Sequence, residues 1–287
     1  MKRILITGAN SYIGTSFEKW LDQCGVEYNV DTIDMKDDSW KEKDFSNYDV
    51  VFHVAGIAHV STDPKMEDLY YRVNRVLTIQ TAKKAKLEGV KQFIFMSSII
   101  VYGDSSHINK QRIITKNTVP TPSNFYGKSK LEAEEGILPL QDDVFNVVVI
   151  RPPMIFGKGS KGNYPRLAKI AQKLPIFPDV KNERSMLHID NLCEFIRLMI
   201  VNEERGIFLP QNKEYISTSE LVKLIAEVHG KNILLTGVFN GPLKLMGKKI
   251  GIINKVFGNL VYEKNASEYK SDYIIRNLKD SVRLTEV

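Results

Sequence analysis

The chain predicts an α/β fold: a parallel sheet wrapped by helices, with a smaller, discontinuous C-terminal lobe. Three features carry that expectation. Short apolar runs alternate with helical patterns through the first half. Those runs are continuously apolar, as strands buried on both faces of a parallel sheet must be. A glycine-bearing turn, Thr7-Gly-Ala-Asn-Ser-Tyr-Ile-Gly14, joins the first run to the first helical pattern.

Arg3 to Thr7 reads as the first strand and Gly8 to Gly14 as the turn. Ile13, Phe17, Trp20 and Leu21 then recur on one helical face. Tyr28 to Ile33 is a second strand ending near Asp34, and Val50 to His53 is a third. A helix follows from about Leu69 to Lys86, with Val73, Val76, Leu77 and Ile79 as its packing side. Gln92 to Ser97 and Asn146 to Ile150 are further buried strands.

From Gly157 the pattern changes. Gly157, Gly159 and Gly162 form a loop ahead of a helix over Tyr164 to Lys173. Arg184 to Ile189 reads as a short strand and Asp190 to Val201 as a helix returning to the main body. Ser217 and Glu220 fit a capping box opening a helix to His229. The expected division is a core of residues 1–156 joined by about 185–205, with 157–184 and 206–287 as the lobe. In 241–258, Lys244, Lys248, Lys249 and Lys255 alternate with apolar residues. That stretch reads as a lobe helix or helix pair interrupted by Gly247 and Gly251, its lysines facing water. A membrane-surface or partner contact is the alternative.

With 43% apolar and 26% charged residues, the 287-residue chain has the composition of a soluble globular protein. Its net charge of +6 reads as modest and spread out, suited to an anionic small molecule. No basic stripe with interleaved aromatics points to nucleic acid. Cys24 and Cys193 stand far apart, which fits a reducing compartment and a cytoplasmic location. The first apolar run is too short for a signal sequence, and no run is long enough to span a membrane. The five histidines show no metal-ligand spacing: His53 and His188 fall in strands as structural residues, and His59, His107 and His229 have no useful neighbours. No metal is expected.

The turn after the first strand places backbone amides at a helix start, where missing side chains let a pyrophosphate approach. Asp34, ending the second strand, is placed to accept hydrogen bonds from an adenosine ribose. Further on, Tyr126-Gly-Lys-Ser-Lys130 puts a phenol and an ammonium on one helical face. The ammonium can hold the phenol, whose ordinary pKa is about 10, partly ionised. Ser98, at the end of a strand, can hydrogen-bond the same substrate oxygen.

Together these motifs resemble the extended short-chain dehydrogenase/reductases, and within them the NAD-dependent nucleotide-sugar epimerase/dehydratase branch, which includes UDP-glucose 4-epimerase-like and 4-ketoreductase-like enzymes. The resemblance spans the chain. It is strongest in Gly8–Gly14, Asp49–Gly56, Ser97–Gly103, Tyr126–Lys130, Arg151-Pro152 and Arg184–Asp190. It implies a Rossmann-type core, a C-terminal substrate lobe and catalysis by Ser98, Tyr126 and Lys130. It implies cofactor contacts from Gly8, Ser11, Tyr12, Ile13, Gly14, Asp34, Ala55, Gly56, Asn74, Tyr126, Lys130 and Pro153. Ser98, Asn163 and Arg184 would meet the substrate, with Arg184 on its diphosphate and Arg166 a further phosphate contact. Ser11 departs from the family, which usually has glycine there; its Cβ narrows the approach to the pyrophosphate. Asp34 favours NAD over NADP, while the nearby Lys36 leaves NADP open.

Members that remove water between sugar C4 and C6 usually carry Asp-Glu where this chain has Ile99 and Ile100, so that reaction is disfavoured. The resemblance leaves C4 epimerisation of a UDP-hexose or UDP-N-acetylhexosamine, narrowly preferred, and NAD(P)H-dependent reduction of a 4-keto-6-deoxy nucleotide sugar. A non-catalytic nucleotide-binding or scaffold protein is the reading from another class. A homodimer is implied by family analogy.

Overall fold

The computed structural model describes every residue except 26, 58–62, 109 and 248–250. His59, Lys248, Lys249, Ile250 and the side chain of Ile252 therefore lie outside the described residues. The chain divides into two compact units. The first comprises Met1–Gly103, Pro120–Pro152 and Leu192–Pro210; the second comprises Asp104–Val119, Pro153–Asn191 and Gln211–Val287.

Among the described residues, the first unit holds six strands: β1 (Arg3–Thr7), β2 (Asn29–Ile33), β3 (Val50–His53), β4 (Gln92–Met96), β5 (Asn146–Ile150) and β6 (Gly206–Phe208). They pair in the order β6-β5-β4-β3-β1-β2, every pair parallel. The central strands read as unbroken apolar runs because helices cover both faces. Val51, Phe52, Phe93, Ile94 and Phe95 are completely buried. Each such side chain contributes roughly 1.5–3 kcal/mol relative to exposure. The outer strand β2 has no fully buried residue, which is why its sequence, Asn-Val-Asp-Thr-Ile, tolerates polar residues.

Helix α1 (Tyr12–Gln23) buries Gly14, Phe17 and Leu21. The expected single helix from Leu69 is interrupted. A short turn, Glu67–Tyr70, runs into a π-helical stretch, Tyr71–Val76, and then into α2 (Leu77–Leu87). The wider π turn rotates the face that meets the core. Val76 is 42% exposed, whereas Asn74, Thr78, Thr81, Ala82 and Ala85 are buried. The threonine hydroxyls are accommodated by bonding backward: Thr78 Oγ1 to Asn74 O at 2.8 Å and Thr81 Oγ1 to Leu77 O at 2.7 Å. Helix α3 (Phe125–Ile137) completes the elements that build the site.

Among the described residues, the second unit contains three two-stranded parallel pairs and its own core around Phe156, Tyr164, Leu221, Val222 and Ile225. Ser217 and Glu220 form the expected capping box of helix Thr218–Val228. The unit boundaries depart from the sequence expectation for reasons of strand pairing. Residues 104–119 join the second unit, where Ile113-Ile114 pairs with Val261-Tyr262. Met186–His188 pairs there with Met154–Phe156. Gly206–Phe208, expected in the lobe, is an edge strand of the main sheet.

Candidate active site

Strand β1 leads outward to β2, and the chain then crosses to β3 on the other side of β1. Open α/β sheets leave a crevice at such a switch point, beyond the C-terminal ends of the strands. Thr7 lies opposite His53, so the loops that follow β1 and β3 leave side by side. Gly8 has φ +93, and a Cβ there would stand 2.9 Å from Ala55 N. Gly14 is equally constrained, with Ser11 Oγ 2.7 Å from where its Cβ would be. Two positions that admit no side chain, at the start of α1, form a backbone-lined cradle that fits a pyrophosphate.

Ser11 caps α1, its hydroxyl accepting from Gly14 N at 3.2 Å. The departure from glycine at this position therefore serves the helix terminus. The amides of Tyr12 and Ile13, in the first turn of α1, have no intrahelical acceptor four residues back. Asp34 is exposed and ion-paired with Lys36 at 3.0 Å. The hydrogen bond from that lysine holds its carboxyl below the usual range.

The three residues expected to be catalytic sit on two elements. Ser98 ends the segment after β4 and caps the turn Ile99–Tyr102, accepting from Ile100 N at 3.3 Å. Asn124 caps α3 by accepting from Gly127 N at 2.9 Å. Gly127 lets the helix approach the Ser98 turn, since a Cβ there would meet Ile100 O at 2.8 Å. That close approach brings the helix carrying Tyr126 against the turn that Ser98 caps. Burial pushes the phenol up to about 12, with the Ser98 hydroxyl opposing.

Lys130 follows one turn later, 5% exposed, and donates to Met96 O at 2.8 Å. Its ammonium lies 4.6 Å from the Phe95 ring centroid. Burial lowers its pKa to about 8, and the Glu134 carboxylate opposes that shift. The ammonium is held by the carbonyl that ends β4, and burial governs the phenol.

Asn74, completely buried, ties the loop after β3 to this helix. Its Oδ1 accepts from Ile57 N at 2.8 Å, and its Nδ2 donates to Ile57 O and to Ser129 Oγ, both at 3.2 Å. Gly56 is enclosed by the same groups: a Cβ there would lie 3.0 Å from Asn74 Oδ1 and 3.2 Å from Lys130 Nζ. Gly8 with Ala55, Gly56 with Asn74 and Lys130, and Ser98 with Tyr126 are thus brought together within the first unit.

Behind them is a buried network that sequence reasoning missed. Glu134 accepts from Ser97 Oγ and binds Arg151 through both carboxylate oxygens. Arg151 also donates to Tyr102 Oη at 2.7 Å. The signal was present in the spacing: Tyr126, Lys130 and Glu134 are successive fourth residues on one helical face.

His53 bonds Thr7 Oγ1 at 2.7 Å and Thr78 Oγ1 at 3.0 Å, and burial lowers its pKa to about 3. It is a neutral structural residue. Pro153, Asn163, Arg166 and Arg184 belong to the second unit. Asn163 and Arg166 are exposed on helix Asn163–Lys173. Arg184 donates to Lys255 O at 3.0 Å and Gly258 O at 3.1 Å. Burial lowers its pKa to about 10, and it has no ion-pair partner among the described residues. Among those residues no group of three or more His, Cys, Asp or Glu is placed to hold a metal, and no helix is long and apolar enough to cross a membrane.

Residues 4–208 match the NAD dependent epimerase/dehydratase family. The chain belongs to that family. A UDP-glucose 4-epimerase from Vibrio cholerae is 32% identical, over 90% of this chain and 86% of the relative. An N-acetyl-alpha-D-glucosaminyl-diphospho-ditrans,octacis-undecaprenol 4-epimerase from Escherichia coli O157:H7 is 27% identical, over 80% and 73%. A dTDP-4-dehydrorhamnose reductase from Clostridium acetobutylicum superposes with a TM-score of 0.73 at 19% identity, covering 98% of this chain and 97% of that one. That likeness shows the fold. As a member of the NAD-dependent epimerase/dehydratase family, the chain is an enzyme whose cofactor is NAD, and the cradle between Gly8 and Gly14 has the backbone geometry such a dinucleotide needs.

Proposed function

We propose that this enzyme is a nucleotide-sugar 4-epimerase acting on a UDP-hexose or UDP-N-acetylhexosamine by transient oxidation at C4. The observation that carries the reading is the buried Tyr126 phenol, one helical turn from the buried Lys130 and on the helix that Gly127 lets approach the Ser98 turn. Bound NAD supplies the hydride acceptor and donor. Tyr126 moves the C4 hydroxyl proton, and Ser98 orients that oxygen. Burial favours the protonated phenol, the form that returns a proton to the C4 oxygen. The oxidising half needs positive charge beside the phenol, which Lys130 would supply.

In this reading Gly8, Ser11, Tyr12, Ile13 and Gly14 cradle the pyrophosphate, and Asp34 takes the adenosine ribose. Ala55, Gly56, Asn74 and Pro153 complete the cofactor contacts. The second unit is the substrate lobe, with Asn163 and Arg184 on the diphosphate. A half-buried guanidinium held by carbonyls and lacking a carboxylate partner among the described residues is suited to an anionic ligand. The enzyme works as a cytoplasmic homodimer.

The test is product NMR with nicotinamide absorbance followed in parallel, on UDP-glucose, UDP-N-acetylglucosamine and their 4-keto-6-deoxy derivatives. C4 inversion without net cofactor consumption is expected. Stoichiometric NAD(P)H oxidation only with a keto sugar would make the enzyme a reductase instead. A second substrate reading, a lipid-linked diphosphate sugar as in the Escherichia coli relative, is favoured by the exposed apolar side chains of the second unit, including Val238 and Leu245. It predicts turnover of a polyprenyl-diphosphate sugar in the same NMR assay.

A further inference from the structure

The net charge is not spread evenly between the units. The first unit holds 18 Lys and Arg against 22 Asp and Glu; the second holds 22 against 12. The chain's +6 is thus the sum of an acidic unit and a strongly basic one. Within the second unit, residues 231–262 contain Lys231, Lys244, Lys248, Lys249 and Lys255 and no Asp or Glu.

The same stretch concentrates exposed apolar side chains. Leu234 is 63% exposed, Val238 79%, Phe239 44%, Leu245 68% and Met246 46%. Ile176, 45% exposed, pairs with Leu234 across two parallel strands. The segment is not loosely attached. Ile233 and Phe257 are buried in the core of the unit, and Leu243, Ile253 and Val256 pack against it. Asn240 Nδ2 donates to Asp179 O at 2.8 Å, tying the start of helix Asn240–Gly247 to the end of strand Ile176–Pro178. One side of the segment is therefore committed to the fold, while its outward side chains combine large apolar groups with lysine.

We propose that this face docks on the surface of an anionic phospholipid bilayer. Val238, Phe239, Leu245 and Met246 enter the boundary between headgroups and acyl chains, and the exposed Lys244 meets the lipid phosphates. An exposed apolar patch needs a partner, and the charge selects which one. A second copy of the chain would present the same lysines to these and repel them, whereas an anionic lipid surface neutralises them. The docking holds whichever diphosphate sugar is turned over, so it stands or falls separately from the substrate assignment.

The experiment is vesicle flotation of the full-length protein. Vesicles of phosphatidylcholine alone are compared with vesicles containing one-third phosphatidylglycerol, at low and high salt. Flotation with the anionic vesicles is expected, weakened by salt as surface charge is screened. The variant V238E/L245E should bind them at least about tenfold more weakly. It alters only well-exposed positions, and unchanged thermal unfolding and NAD binding would show that it is folded. Equal binding to neutral and anionic vesicles would overturn the charge argument, and equal binding by the variant would overturn the face. Absence of flotation, with dimerisation in analytical ultracentrifugation that V238E/L245E abolishes, would assign the face to self-association instead.

Discussion

Glu134 holds Arg151 in a two-oxygen grip inside the protein. Arg151 Nε lies 3.1 Å from both carboxylate oxygens, with the carboxylate 1% and the guanidinium 7% exposed. The pair links three parts of the site. Glu134 shares a helix with Tyr126 and Lys130, Ser97 beside Ser98 donates to its carboxylate, and Arg151 reaches the Tyr102 hydroxyl at the end of the Ser98 turn. A buried ion pair is weak ground for stability, but breaking one partner leaves a charge stranded.

Glu134→Leu and Arg151→Met should therefore each cost about 3–5 kcal/mol in unfolding free energy, while the double variant recovers most of that loss. Chemical denaturation of all four proteins measures the coupling. Additive losses would mean that the two side chains do not act as a pair.

Tyr126→Phe should lower kcat about 10²–10⁴-fold, as expected when an acid–base group is removed. Cofactor affinity, measured by fluorescence titration with NAD, should stay within about threefold, since the ring and helix remain. Retained turnover would remove Tyr126 from the acid–base role.

Lys130 gives a pH prediction. Its folded pKa of about 8 lies below the unfolded value of about 10.5. Between those values the unfolded chain binds more protons, so stability rises with pH, and below about pH 8 the cost of the buried charge is fully present. The unfolding free energy of the wild type minus that of Lys130→Met should climb between pH 8 and 10 by on the order of 3 kcal/mol. A flat difference would place the lysine in contact with solvent. Bound ligand that supplies negative charge should shrink the climb.

In the proposed reading, Asp34 and Lys36 together set the preference for the cofactor phosphate. The carboxylate opposes a 2′-phosphate, while the lysine ion-paired to it would favour one. Asp34→Ser should raise kcat/KM for NADP relative to NAD by about tenfold or more, because the repulsive member goes and the attractive one stays. An unchanged ratio would show that the ribose is read elsewhere.

Most of the first unit was legible because its determinants are local. Continuous apolar runs specify buried parallel strands, and the glycines at 8 and 14 mark where backbone must pass close to backbone. The spacing of Tyr126 and Lys130 follows from helix geometry. The interrupted helix was not legible. Val76 has the periodicity of a core residue, but the π turn carries it outward and brings Asn74 and Thr78 in.

Sequence alone determined the fold class, the glycine cradle, the capping box at Ser217 and which residues share the face of α3. Tertiary structure decided what those residues touch. It placed Lys130 on the Met96 carbonyl, engaged Ser11 in capping α1, paired Glu134 with Arg151 and moved residues 104–119 into the second unit. Backbone preferences and apolar period are encoded within a few neighbouring residues. Partners of buried polar groups come from segments far apart in the chain, and only the packed fold determines which of them meet.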